Sequence, residues 1–329
     1  MNLKSQLLGI LEDSGGVFIS GADLAKELSV SRNAVWKAIG SLRAEGYDIS
    51  AVTNKGYRIE KKGDILTAAG IEGHIKTKGV FRVEARESVT STNAVLRDMA
   101  SKGAPEGCVL AAEGQTAGKG RLGRHFHSPA RHGVYFSLLL RPDCPAGEAA
   151  LITSAAAVAA ARAIENVIGV RVGIKWVNDL FIEGKKVSGI LTEAVLGMES
   201  GMVESAVLGI GINITKPEGG FPEELEGVAS ALTGRAKGRY SERCRLIAAT
   251  LDNFWGYYQN MEERLFLDEY RARSIILGRG IYVFSGDNKR AAQAIAIDDK
   301  CGLVVRYENG EMATLGSGEV SVRSINENS

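Results

Sequence analysis

Residues 114–124, Gly-Gln-Thr-Ala-Gly-Lys-Gly-Arg-Leu-Gly-Arg, constrain this chain more than any other stretch. Four glycines are interspersed with three cations, Lys119, Arg121 and Arg124. Glycine lets backbone pass close to a ligand; lysine and arginine bring charge, arginine as a planar fork matched to phosphate or carboxylate. The apolar run at 108–113 reads as a strand leading straight into this loop. A cationic loop at a strand end suits a wrapper around an anionic small molecule. It matches neither G-x-G-x-x-G nor G-x-x-x-x-G-K-[ST], because Gly123 is followed by Arg124 and His125. The bland alternative is a surface turn with solvated charges, so the rest of the chain has to decide.

A chain of 329 residues holds two or three domains, and 45% hydrophobic residues suffice for packed cores. The net charge of +1 supplies no global field for polyanions, so nucleic-acid binding requires a local patch. Cys108, Cys144, Cys244 and Cys301 form no C-x-x-C pair, as expected of free thiols in a reducing cytoplasm. No sustained apolar run follows Met1, and the most apolar stretch, 149–161, is alanine-rich and too short to cross a bilayer. The expectation is a soluble cytoplasmic protein with no membrane partner.

Residues 1–62 read as a winged helix-turn-helix. Leu3, Leu7, Leu8, Ile10 and Leu11 give one apolar helix face. Ser20 caps a second helix and Ser31 a third, whose buried stripe is Val35, Ala38, Ile39 and Leu42. Two strands then flank the turn Asn54-Lys55-Gly56. In this plan Arg32, Asn33 and Lys37 face the major groove, where arginine reads guanine and asparagine adenine. Lys55, Arg43 and Arg58 are expected at phosphates. A protein-interaction winged helix is the competing reading, since the domain's charge is mixed.

Beyond the polar junction at 61–64, residues 63–272 alternate short strands with helices at 88–99, 151–167 and 240–263, without a strict βαβ rhythm. That argues for a mixed-sheet α+β body. Residues 273–329 hold five short strands separated by polar turns, the pattern of a small SH3-like barrel.

Several motifs of the central body carry chemistry. Ser91-Thr92-Asn93 gathers three polar side chains at a helix start, more than capping requires. The hexapeptide 175–180, Lys-Trp-Val-Asn-Asp-Leu, sets a cation, the Asn178 amide and the Asp179 carboxylate between two strands. Lys185 and Lys186 open an otherwise apolar strand, so alternation turns one of them to the covered face, which is costly unless an anion meets it. Gly209-Ile-Gly-Ile-Asn213 ends a further strand with glycines that permit close ligand approach. His125, His127 and His132 have no cysteine or carboxylate nearby to complete a zinc set, so no metal site is expected.

In this order and spacing the motifs resemble the bifunctional biotin–protein ligase and biotin-operon repressor family over the whole chain. Ser-Thr-Asn at 91–93, the loop at 115–124, Ser-Pro at 128–129 and the segments at 175–180, 185–191 and 209–213 carry the resemblance. Two positions depart from the family: Lys119 stands where arginine is usual, and Phe126 where tryptophan is usual. The charge and an aromatic wall survive; the bidentate fork and the indole N–H do not.

The resemblance implies that biotin and MgATP form biotinyl-5′-AMP, whose acyl group passes to a lysine of a biotin carboxyl carrier protein domain. Two unit negative charges about 4 Å apart repel by roughly 4 kcal/mol at an effective dielectric near 20, so fixed cations are needed as carboxylate meets phosphate. Lys186 takes that role first, then Arg121, with Asp179 orienting Lys186 or helping to deprotonate the acceptor lysine. Ser91, Thr92, Asn93, Gln115, Lys119, Gly120, Arg121 and Lys186 are implied at biotin, and Arg124, Asn178 and Asn213 at the nucleotide. The winged helix implies operator DNA, bound by a homodimer when biotinyl-AMP is present. Competing readings are a DNA-binding sensor without ligase activity and a ligase for lipoate or octanoate.

Overall fold

Helix α1 (Leu3–Asp13) fully buries Leu7, Leu8 and Leu11, one face of a helical period. The computed structural model describes residues 3–60, 65–197, 201–232, 242–286, 288–316 and 320–324. The expected junction at 61–64, the helix start at 240–241 and Asp287 of one expected turn lie outside the described residues. Helix α2 (Gly21–Glu27) begins where Ser20 Oγ accepts from the Asp23 N–H at 3.1 Å. Helix α3 (Arg32–Ala44) begins where Ser31 Oγ accepts from the Ala34 N–H at 3.2 Å. These caps answer N–H groups that a helix start leaves open. With Val35, Ala38, Ile39 and Leu42 turned inward, α3 exposes Arg32, Asn33, Trp36 and Lys37. Strands β1 (Ile49–Val52) and β2 (Gly56–Ile59) form the wing, with Lys55 exposed in its turn.

Two cations expected at phosphates have local partners within the domain. Arg43 donates from Nε and Nη2 to the Ile49 carbonyl at 2.9 and 2.5 Å, tying α3 to the wing. Arg58 donates to Glu60 at 3.0 and 2.6 Å and lies over the Phe18 ring.

Helix α4 (Ala68–His74) was not anticipated: it is short, contains two glycines and shows no apolar stripe. It is the seat on which α1 packs. A Cβ on Gly9 would lie 3.3 Å from the Gly73 carbonyl oxygen. Ser5 Oγ donates to Glu72 at 2.7 Å, and His74 Nε2 meets the buried Glu12 carboxylate at 2.5 Å.

The central sheet contains β3 (Arg82–Val89), β4 (Cys108–Gln115), β5 (Gly133–Leu140), β6 (Gly173–Lys175), β7 (Asp179–Ile182), β8 (Lys185–Leu196) and β9 (Val203–Asn213). Its order among the described residues is β3-β4-β5-β9-β8-β7-β6, parallel between β3 and β4 and antiparallel elsewhere. Alternation divides its two faces. Val109, Ala111, Leu138, Leu140, Ala206 and Leu208 join the main core with helices α6 (Ala149–Ile168) and α7 (Glu242–Tyr258). Leu110, Leu139 and Val207 face the other way, under helix α5 (Thr92–Ser101) and its Leu96. Helix α6 is long and apolar enough to cross a membrane by length and composition, yet 78% of that window is buried inside the fold. Its run of alanines lets neighbours approach closely. Helix α7 ends at Tyr258, before the expected 263; a separate short turn, Met261–Glu263, follows. The short α8 (Leu267–Ala272) comes next.

Strands β10 (Gly280–Ser285), β11 (Asn288–Ile297), β12 (Leu303–Tyr307), β13 (Met312–Leu315) and β14 (Val320–Ser324) make an antiparallel SH3-like sheet in the order β13-β12-β11-β10-β14. Ile281, Val283, Leu303 and Val305 belong to the same apolar core as the central body.

Glu113, on β4 two residues before Gln115, accepts from Arg243 of α7 at 2.6 and 3.2 Å and from the Leu66 N–H at 3.3 Å. The Arg243 side chain is 3% exposed and that of Glu113 17%. Arg243→Met leaves a largely buried carboxylate with one weak donor and is expected to destabilise the fold by about 3 kcal/mol. A urea titration of the folded protein checks this; a midpoint equal to that of the unaltered chain contradicts it.

Candidate active site

The site lies on the α5 face of the sheet, beyond Leu139 and Val207. There the register pairs Ser137 with Gly209, Tyr135 with Gly211, Gly189 with Gly211 and Leu191 with Gly209. Cross-strand partners share a face, so the glycines leave a trough. Part of that space is filled by the protein itself. A Cβ on Gly209 would lie 2.0 Å from Asn93 Oδ1, and one on Gly211 would lie 2.5 Å from the Phe126 ring. The expectation of close ligand approach at these glycines is thus answered by close side-chain approach: Asn93 and Phe126 become the floor and wall.

The start of α5 supplies the floor. Ser91 Oγ caps the helix, accepting from the Ala94 N–H at 3.4 Å. Thr92 and Asn93 are buried in the first turn. The Thr92 N–H donates to Gln115 Oε1 at 2.9 Å, and Asn93 Nδ2 donates to Glu193 at 2.8 Å. Four residues expected together, Ser91, Thr92, Asn93 and Gln115, therefore do come together.

The cationic loop folds back as a small closed hairpin. Gly120 N–H donates to the Arg124 carbonyl at 2.7 Å, Phe126 N–H to the Gly118 carbonyl at 2.9 Å, and Lys119 bridges His125. Leu122 and Gly123 make the tip with φ of 55° and 72°; for leucine that left-handed conformation is uncommon. The loop and the sheet enclose a cavity of about 500 Å³. Lys119, Gly120, Arg121 and Arg124 line it on one side; Val177, Ile190, Leu191 and Glu193 line it on the other. Phe126 is backed edge-on by Tyr135 at 6.4 Å, whose hydroxyl donates to the Pro129 carbonyl.

Lys186 is the half-buried member of its pair, with Lys185 exposed. Its Nζ lies 2.7 Å from Asp179 Oδ1, a charge contact that falls outside hydrogen-bond geometry and leaves that oxygen short of a hydrogen-bond donor. A Cβ on Gly189 would be 3.1 Å from the Phe126 ring and 3.2 Å from Lys186 Nζ. Aromatic wall and ammonium group thus share the space above Gly189. Asn178, next to Asp179, donates to the Ile190 carbonyl at 2.6 Å and accepts from Arg121 Nη1 at 3.4 Å. Burial lowers the Arg121 guanidinium from its ordinary pKa; Asp179 opposes this and Arg124 adds to it. The turn carrying Asn178 is held from behind, where Tyr270 donates to the Val177 carbonyl and Trp176 Nε1 to the Cys301 carbonyl, both at 2.9 Å.

Asn213 stands at the end of β9 and donates to the Ser230 carbonyl at 3.0 Å. Segment 228–230 brackets Lys186 in turn, accepting from its N–H and donating to its carbonyl at 2.8 Å. Arg32, Asn33, Lys37 and Lys55 belong to the winged helix and not to this cavity. His127 is lowered by burial and then by His125. Among the described residues no three His, Cys, Asp or Glu side chains gather as a metal-binding group. Sequence reasoning missed Ser137 and Glu193, which with Ser128 of the Ser-Pro motif tie the floor together. Ser137 and Glu193 are single polar residues on otherwise apolar strand faces, and that was the available signal.

Residues 85–213 match the biotin/lipoate A/B protein ligase family, residues 4–58 an HTH domain and residues 276–323 the biotin protein ligase C-terminal domain. The bifunctional ligase/repressor BirA of Bacillus subtilis is 35% identical over 94% of this chain and 95% of its own. The bifunctional ligase/repressor BirA of Escherichia coli is 27% identical over 94% and 95%. Among solved structures, the biotin protein ligase from Aquifex aeolicus in complex with biotin and ATP is 27% identical, with a TM-score of 0.60 over 74% of this chain and 99% of that one. The chain belongs to the bifunctional ligase/repressor family: it is a biotin protein ligase that carries its own helix-turn-helix domain.

Proposed function

We propose that this chain activates biotin with ATP to biotinyl-5′-AMP, transfers the biotinyl group to a lysine of a biotin carboxyl carrier protein, and represses transcription through its winged helix. The observation that supports the chemistry best is the meeting of Lys186, paired with Asp179, and the Phe126 end of the cationic loop above Gly189. The biotin and ATP of the Aquifex complex are the substrates this reading assigns here. Residues 1–62, 63–272 and 273–329 divide the labour as DNA binding, ligation and bracing of the ligase site. Free thiols at all four cysteines suit the cytoplasm in which both activities operate.

Lys186 faces the carboxylate and α-phosphate as they join, and its charge offsets their repulsion. Asp179 holds the ammonium in place. Arg121, steadied by Asn178, stabilises the same developing charge. Ser91, Thr92, Asn93 and Gln115 receive the ligand's polar head, with Lys119 and Gly120 against the ligand. Arg124, Asn178 and Asn213 serve the nucleotide. Mg²⁺ bound to ATP would offset part of the triphosphate charge. Closure of the loop keeps water from the mixed anhydride.

On the DNA side, Arg32, Asn33, Trp36 and Lys37 present one exposed face of α3, and Lys55 tips the wing. One such module binds DNA weakly, so specific repression calls for a dimer on paired half-sites. We assign dimerisation to the central sheet, promoted when biotinyl-AMP orders the loop.

Lys186→Ala should slow biotin-dependent pyrophosphate release by roughly tenfold or more, a barrier change of about 1.4 kcal/mol, with the fold intact by circular dichroism; near-normal release removes Lys186 from the mechanism. Arg121→Gly should let the adenylate escape and label bystander lysines, read by avidin blot against added albumin. No gain in such labelling denies the loop its role as a lid. Sedimentation should give a heavier particle with biotin and ATP than without; equal masses reject ligand-driven dimerisation.

A further inference from the structure

We propose that Trp36 is a specificity-determining residue of α3, seated against thymine methyl groups on the floor of the major groove, and that Gly40, one turn further on, gives the clearance this seat requires. The inference rests on the DNA-binding reading of the winged helix and adds what the module reads. Trp36 is 64% exposed, whereas Trp176 and Trp255 are 4% and 8% exposed. A bare indole on a helix surface keeps a large apolar area in water, which a partner would remove. Residues three and four apart share a helix face. Arg32 and Asn33, then Trp36 and Lys37, then Gly40 therefore follow one another along the exposed side of α3. The opposite side is taken up by Val35, Ala38, Ile39 and Leu42, packed in the domain's own core. The first turn of α3 holds no acidic residue, so nothing in it repels phosphate.

Gly40 is the second observation. It lies inside the helix, where glycine is less favourable than alanine. Its backbone is helical, with no left-handed φ, and a Cβ built on it would meet nothing within 4 Å. Neither the backbone nor internal packing calls for a glycine there; close approach by an outside partner does. Arg32 and Lys37 on the same face set the sign of that partner, and the HTH match of residues 4–58 sets its kind, duplex DNA. In the major groove the bases show only their edges, and the apolar group among those edges is the C5 methyl of thymine. An indole pressed on guanine or cytosine would cover polar edges without answering them, which is costly. Arg32 and Asn33 supply hydrogen bonds to base edges. Trp36 adds a contact that thymine rewards and the other bases do not.

The test uses the full-length chain with biotin and ATP. A duplex is first enriched by the chain from a random-sequence pool, then resynthesised with deoxyuridine at each thymine in turn. Uracil keeps the hydrogen-bonding edge and lacks only the methyl group. For the unaltered chain, deoxyuridine at one or more positions of a half-site should weaken binding about fourfold, the weight of one buried methyl group. Trp36→Ala should weaken binding to the enriched duplex by about tenfold or more. It should also bind the thymine and uracil versions of that position equally. The slope of its affinity against salt should be kept, since no phosphate contact is lost. Gly40→Ala should raise the midpoint of urea unfolding and yet weaken binding to the enriched duplex about fivefold, a combination that a glycine serving the fold alone does not give. The proposal is overturned by indifference to uracil at every thymine, by a Trp36→Ala variant that still tells uracil from thymine, or by Gly40→Ala binding as tightly as the unaltered chain. Failure of the unaltered chain to enrich any duplex would instead sink the DNA-binding reading itself, and this proposal with it.

Discussion

A lysine ammonium held half-buried on a sheet face is the interaction around which this molecule is arranged. Lys186 sits there because Asp179 is 2.7 Å away; without a counter-charge the desolvation of an ammonium is prohibitive. An ammonium has three donors, so pairing with Asp179 leaves it capacity for a further acceptor. Asp179 in turn depends on the hairpin between β6 and β7, and that hairpin on Asn178, which bonds the Ile190 carbonyl. The ammonium charge is thus stabilised by a carboxylate whose position is fixed by backbone.

The third structural unit matters for the same reason. Trp176 Nε1 reaches the carbonyl of Cys301, in the turn between β11 and β12, and Tyr270 of α8 reaches the Val177 carbonyl. Both bonds are buried, where a polar group without a partner is expensive. The SH3-like sheet also shares its apolar core with the ligase body. It therefore acts on the site mechanically, by holding Trp176 from behind, and needs no residue in the cavity to do so.

How much of this could be read from the residues divides along physical lines. The caps at Ser20, Ser31 and Ser91, the stripe of α3 and the apolar strand at 108–113 are local, and they appear where the residues put them. The grouping of the loop, Lys186 and the start of α5 was legible only through resemblance, since nothing local brings residues 91, 121 and 186 together. Helices α4 and α8 were missed because each is too short to display a periodic stripe. Arg43 and Arg58 gain local partners, the Ile49 carbonyl and Glu60, that the residues alone did not announce. Glu193 escaped for a like reason: within a strand it looks like an ordinary solvent-facing acid until Asn93, 100 positions away, is folded against it.

The winged helix is joined to the site by covalent and polar routes that converge on one strand. Helix α1 packs on α4 through Gly9 and Gly73, with Glu12 and His74 paired beside them. Just before α4, the Leu66 N–H bonds Glu113, and Glu113 is two residues from Gln115, whose amide orients the floor beneath the loop. A shift of β4 must therefore either carry Glu113 with it or stretch its bonds to Arg243 and Leu66. Packed interiors resist gradual deformation and move between discrete arrangements. The seat of the DNA-binding unit is thereby mechanically linked to the strand that leads into the cationic loop.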